Sequence, residues 1–295
     1  MNKGRATLTT LGIGVALASA ARAFVIFKTD MRSGSILDGN EVLCNVLYLG
    51  AILLTAVMCA VIWVKDTNAD VTGYSGKGAL LIGFGLLLAA VGTGYEGLAE
   101  REILMPSGLV VFADFFFAAL LCVVAFITLY LKVFKPGLGF MYVFGGLYCV
   151  LRGVFCFMKR MVVTVVPEYF IDCLMAIFGA LFFLMLARVL SGNTGKLTKA
   201  AFFGWGAATV VTSFSACIGA LIAKLSFPTE ISDRIVFSAA DAEYYYQSLH
   251  GNDAYELTFP STADIGIGIF ALMAVIAVCL SKNIQQNEQA DQENQ

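Results

Sequence analysis

GLVVFADFFFAALLCVVAFITLYL, residues 108–131, decides the fold. These 24 residues carry one charge, Asp114, and no proline. A hydrocarbon core about 30 Å thick is crossed by about 20 residues of helix at about 1.5 Å per residue. A helix of that length, apolar on every side, suits lipid and not water. Outward from it, seven more stretches have the same character, at roughly 8–27, 42–64, 78–99, 138–158, 168–190, 200–224 and 264–281. Pro106, Pro136, Pro167, Pro228 and Pro260 all fall between stretches, where the loss of an N–H donor does least harm.

Composition agrees. The chain has 295 residues, 59% apolar and 14% charged, with mean hydropathy +0.82. Soluble domains run at about 45–50% apolar and about 25% charged. A water-soluble fold and a disordered chain are both excluded. The reading is an all-α, polytopic membrane bundle of about eight transmembrane helices. It forms one domain over 1–281, followed by a polar tail, 282–295, too hydrophilic to bury and expected to be disordered. The first stretch has a second reading. Lys3 and Arg5 precede an apolar run ending Ala18-Ser19-Ala20, the shape of a cleavable signal peptide, which would leave seven spans. The run continues through Ala23-Phe24-Val25-Ile26-Phe27, which favours an uncleaved helix.

With the N-terminus inside, ten lysines and arginines fall on the cytoplasmic side and seven outside, so both termini are assigned to the cytoplasm of a bacterial-type plasma membrane. Trp63, Trp205, Tyr130 and Tyr142 then fall near the inner interface, as an aromatic belt would. The long loop, 225–263, is placed outside. It carries Glu230, Asp233, Asp241, Glu243, Asp253 and Glu256 against Arg234, together with Tyr244-Tyr245-Tyr246. It reads as a solvated connector with one helix around 232–248, or as a lid, a capture surface for cations or a docking surface for a protein partner.

Five charged residues sit inside predicted spans: Arg22, Glu96, Asp114, Arg152 and Asp172. Counted from their outer helix ends, all five lie roughly 7–10 Å deep. Charges in hydrocarbon cost about 2.5–3.5 kcal/mol at mid-span, so they face the bundle interior and pair. On the fifth span Gly145, Cys149, Arg152 and Cys156 form one stripe, and on the sixth so do Glu168, Asp172, Met175 and Gly179. A short loop joins these spans, so Arg152 is expected to pair first with Asp172. Arg22, Glu96, Asp114, Arg152, Glu168 and Asp172 are thus the candidate substrate- or ion-binding residues, for a proton or small cation. Snorkelling to headgroups, or simply fixing helix register, would account for the same residues.

Residues 112–118, FADFFFA, resemble 170–176, FIDCLMA, at an offset of 58, which would make spans 3–4 and 5–6 parallel repeats. Gly92-Thr93-Gly94-Tyr95-Glu96-Gly97 spells G-x-G-x-x-G, but it ends a membrane span instead of following a strand, so close helix packing is read in place of dinucleotide binding. Gly85, Ala89 and Ala90 on the third span, and Gly204, Ala208, Ala216 and Ala220 on the seventh, are read the same way.

Other chemistries find no residues. One histidine, His250, rules out a bis-histidine haem and H-E-x-x-H. The eight cysteines lie in apolar segments with no C-x-x-C pair and read as small hydrophobes. No mid-span lysine offers a retinal Schiff base, and no G-x-S-x-G or G-x-x-x-x-G-K-[ST] is present. Net charge is −2 without a basic run, so nucleic acid is not an expected partner. No cofactor, no metal and no catalytic residue is expected. Transport of a small solute, passive or ion-coupled, leads. A membrane sensor or partner-holding subunit is the alternative, and an intramembrane enzyme ranks last.

Overall fold

The computed structural model describes residues 3–28, 41–64, 77–101, 108–132, 138–162, 167–191, 197–226, 235–236, 257–258 and 260–293. Eight helices account for nearly all of them: α1 (Lys3–Lys28), α2 (Glu41–Val64), α3 (Lys77–Arg101), α4 (Gly108–Leu131), α5 (Gly139–Val162), α6 (Pro167–Leu190), α7 (Thr198–Ser226) and α8 (Thr262–Glu293). Each contains a segment long and apolar enough to cross a bilayer. The chain is a multi-pass integral membrane protein built as a helical bundle. α8 continues in helix well past its span, Thr262–Leu280, over a polar segment rich in Gln, Asn and Glu; Gln and Glu are good helix formers, and no Gly or Pro stops it.

In the long loop the expected helix around 232–248 is replaced at 235–236 by β1 (Ile235–Val236), which pairs in parallel with β2 (Leu257–Thr258). Ile235 and Val236 are β-branched and suit a strand. The acidic residues and the Tyr244-Tyr245-Tyr246 run fall outside the described residues.

Helix neighbours follow where small residues permit close approach. α7 lies centrally, against α1, α2, α6 and α8; 67% of its most apolar stretch is buried in the bundle, against 33% for α2 and α5. A methyl added at Gly204 of α7 would meet the Ala60 side chain and the Ala56 carbonyl of α2. α8 packs most extensively on α3. There Gly266 lies against the backbone of Leu88 and Ala89, and Gly85 lies against Phe270 and Met273. Close packing is therefore what the small-residue runs on these helices provide. α5 pairs with α6, where Gly145 faces Phe183, Gly179 faces Cys149 and Gly153 faces Ala176. α4 and α5 touch much less.

The aromatic-belt expectation needs correction at two positions. Trp63 and Tyr142 are core residues, 0% and 2% exposed, because each finds interior partners. Trp63 stacks on Phe203 with centroids 4.2 Å apart, and Tyr142 stacks on Phe270 at 6.2 Å. Tyr130, 76% exposed, sits on the outside of the bundle. The described cysteines are free thiols; Cys59, Cys149 and Cys279 are buried and Cys122 is exposed on the bundle surface.

Candidate functional site

Arg152 is the hub. It lies just past the middle of α5, buried in the bundle, one turn after Tyr148. Residues four apart share a helix face, so both side chains leave α5 together. Arg152 Nη1 donates to Tyr148 Oη at 3.0 Å, and Tyr148 Oη donates to Asp114 Oδ1 of α4 at 2.6 Å. The Tyr148 ring is held flat against Phe117 of α4, with centroids 4.3 Å apart. Asp114 is fully buried. Arg152 Nη2 reaches the other way and donates to Ser261 Oγ at 2.9 Å.

Two ion pairs converge on the same guanidinium. Glu96 Oε1 of α3 is 3.8 Å from Nη2, and Asp114 Oδ1 is 3.9 Å from Nη1. These are charge–charge contacts, too long to be hydrogen bonds. Asp264 of α8 acts electrostatically on the guanidinium as well. One cation is thus shared among carboxylates from α3, α4 and α8.

The start of α8 is built into this cluster. Ser261-Thr262-Ala263-Asp264 has the S-x-x-D spacing of a capping box. Ser261 Oγ accepts from the Asp264 N–H at 3.1 Å, as an N-cap does. The Thr262 N–H, another orphan donor of the first turn, is taken by Glu96 Oε2 at 3.0 Å. The Thr262 hydroxyl lies 2.9 Å from both Glu96 Oε2 and the Gly92 carbonyl oxygen. Glu96 therefore does two things: it caps α8, where the helix dipole favours a negative charge, and it balances Arg152. Ser213 of α7 donates to the Asp264 carbonyl oxygen at 3.2 Å, tying the same turn to the bundle centre.

The pairing of Arg152 with Asp172 is corrected. Among the described residues, the charged neighbours of Arg152 are Glu96, Asp114 and Asp264, and Asp172 is not one of them. The reason lies in helix geometry. α5 meets α6 through Gly145, Cys149 and Gly153. Tyr148 and Arg152 stand about 60–100° round the helix from that face, at about 100° per residue, and turn toward α4 and α8.

Arg22 and Asp172 belong to an adjoining group. Both act electrostatically on Tyr48 of α2. Tyr48 Oη is 3.0 Å from Ser215 Oγ of α7. Because the Ser215 hydroxyl also lies 3.2 Å from the Thr212 carbonyl oxygen as its donor, Tyr48 supplies the proton to Ser215. The stem of Arg22, itself buried, runs over Gly219, where a side chain would collide with it. Cys156 feels Asp172 together with Arg152 and Asp264, which places the two groups side by side. The side chain of Glu168 lies outside the described residues.

The chain matches no family model, no curated protein and no solved structure.

Tyr148, Ser261, Thr262 and Asp264 join this cluster, and the sequence reading passed over them. The S-x-x-D pattern directly before the last apolar run was the available signal for three of them. The chemistry open to the cluster is that of a shared charge. A proton or small cation added to any carboxylate changes what holds Arg152, and at Glu96 it also changes what caps α8.

Proposed function

We propose that the protein transports a small solute, passively or coupled to an ion, and that Glu96, Asp114 and Asp264 hold a proton or small cation against Arg152. The observation that carries this reading is a single buried guanidinium shared by carboxylates of three different helices. Intramembrane ionisable groups arranged in this way mark ion or substrate paths. The proposal includes orientation. In it, the end opposite the carboxylate cluster and both termini face the cytoplasm of a plasma membrane of bacterial type, with the cluster in the outer half; the excess of lysine and arginine at that opposite end supports this.

Flux assays in vesicles carrying the purified protein test it. Glu96→Gln and Asp114→Asn are expected to slow uptake of the transported solute or dissipation of an imposed proton gradient. Wild-type rates in both variants would remove the proposed role. A sensor or partner-holding subunit is the second reading. It draws on the way the acidic loop ends directly on the cluster through Ser261 and Thr262. Deleting 232–258 separates the two: lost partner binding with intact flux favours the subunit, and lost flux favours transport.

A further inference from the structure

Three buried hydroxyls from α1, α2 and α7 take no part in the proposed transport chemistry. Tyr48 Oη of α2 donates to Ser215 Oγ of α7 at 3.0 Å, and Ser215 donates in turn to the Thr212 carbonyl oxygen. The Tyr48 oxygen keeps its acceptor side. The third hydroxyl is Ser19 of α1. It is 3% exposed, and among the described residues its Oγ has no hydrogen-bond partner. Thr55, Thr93, Thr128 and Thr212 meet the same need by donating to the carbonyl four residues back, and Ser19 does not. Helix geometry brings Ser19 to the other two. Thr7 and Phe203 both meet Trp63, and about four turns further on Arg22 and Ala23 meet Gly219. α1 and α7 therefore run side by side in one direction, with Ser19 level with Ser215. At about 100° per residue Ser19 falls between Arg22 and Ala23 in angle, so it faces α7 as they do. Tyr48 feels the charge of Arg22, which closes the group from the α2 side.

We propose that Ser19, Tyr48 and Ser215 form a binding site for one hydroxyl group, brought by a water molecule or by a small hydroxylated solute. The inventory of donors and acceptors selects this ligand. Ser19 offers a proton and lone pairs, whereas Tyr48 offers lone pairs alone, because Ser215 fixes the direction of its proton. A carboxylate has no proton for Tyr48, and an ammonium has no lone pair for Ser19. A hydroxyl has both. Charge agrees, since Arg22 and Asp172 act on Tyr48 with opposite signs, a field that suits a neutral group. A hydroxyl left unbonded inside the bundle is costly, and a bound ligand removes that cost. The site adjoins the Arg152 cluster and uses none of its residues, so it stands whether or not that cluster carries flux.

Thermal melting of the full-length protein in nanodiscs tests this. With a ligand in place, Ser19→Ala removes a hydrogen bond that is made, and the melting temperature is expected to fall by about 2 °C. With nothing bound, or with Ser19 turned back onto its own helix, alanine is neutral or stabilising. An unchanged or higher melting temperature would therefore overturn the proposal. Ser19→Ala and Tyr48→Phe are also expected to be less than additive, because one ligand joins two residues that share no hydrogen bond of their own; strict additivity counts against the site equally. Magic-angle-spinning NMR of the wild type in bilayers, with and without glycerol as the solute probe, identifies the source. Transfer of magnetisation from water to Ser19 Cβ and Tyr48 Cζ in the absence of glycerol identifies a bound water. Transfer that appears only with glycerol identifies a solute site. Transfer from neither, with Ser19 as silent as the fully buried Ile52, would sink the proposal without any variant having to fold.

Discussion

Tyr148 donates to Asp114 across the α4–α5 boundary at 2.6 Å, and that short bond joins two helices that otherwise touch little. With the Phe117–Tyr148 stack, it is what orients α5 so that Arg152 points into the cluster. Hydrogen bonds to charged groups contribute about 1.5–3 kcal/mol in soluble proteins, and membrane hydrogen bonds average about 0.6 kcal/mol. Tyr148→Phe keeps the stack and removes only the hydroxyl. Its expected loss of unfolding free energy is about 1 kcal/mol, read by denaturant titration in micelles. Tyr148→Leu also removes the stack and should cost more. Equal losses would show that the stack carries nothing, and an unchanged Tyr148→Phe would show that the hydroxyl carries nothing.

Arg152 uses the two arms of its guanidinium for different helices, Nη1 toward Tyr148 and Asp114 and Nη2 toward Ser261 and Glu96. Arg152→Gln leaves the surrounding carboxylates without their shared cation, and breaking a buried pair in this way costs about 3–5 kcal/mol. Arg152→Lys keeps the charge without the fork and should fall between. Glu96→Gln, costly in the wild type, should be nearly neutral or restorative in the Arg152→Gln background. A double-mutant cycle measures this coupling. Strict additivity would mean that Arg152 and Glu96 do not depend on each other.

The spans were legible because bilayer thickness fixes their length: 108–131 is α4 to the residue, and the other starts and ends differ mainly where helices extend into the interface. Which face of each helix turns inward was not. Lipid tails are as apolar as leucine, so hydropathy cannot tell Phe126, 70% exposed, from Phe182, 0% exposed. Loop length made α5 and α6 neighbours, as observed, but said nothing of α8 closing back on α3. Arg152 therefore meets Glu96 and Asp114 where Asp172 was expected. Asp264 escaped notice because it lies at a span edge, where a carboxylate reads as an ordinary first-turn residue.

The first turn of α8 depends on two side chains, Ser261 as N-cap and Glu96 as an external cap. Losing a cap costs about 0.5–2 kcal/mol. In hydrogen–deuterium exchange, Ser261→Ala and Glu96→Gln are each expected to speed exchange of the Thr262 and Asp264 amides. The middle of α8 around Phe270, packed on Phe182 and Phe183, should stay protected. Uniform protection along α8 in both variants would show that the cluster does not hold this turn.

Gly92, Gly94 and Gly97 share one short sequence and face three different surroundings, which makes them an internal comparison. A methyl at Gly92 would run into the Thr262 carbonyl oxygen, a backbone atom that cannot swing aside. At Gly97 it would lie 3.0 Å from Asp114 Cβ, and at Gly94 it would meet only Ala118 Cβ at an ordinary 3.7 Å. Overpacking costs about 1–3 kcal/mol, while replacing a helical glycine by alanine gains about 0.5–1 kcal/mol. At position 94 only the gain applies, so Gly94→Ala should be neutral or stabilising. At 97 the two terms oppose, and the displaced Asp114 should show as a weakened contact with Tyr148. At 92 the steric term dominates, and Gly92→Ala should lower the melting temperature most and spread α3 from α8 where Glu96 meets Thr262. A Gly94→Ala loss as large as that of Gly92→Ala would mean that this motif does not set the approach of the two helices.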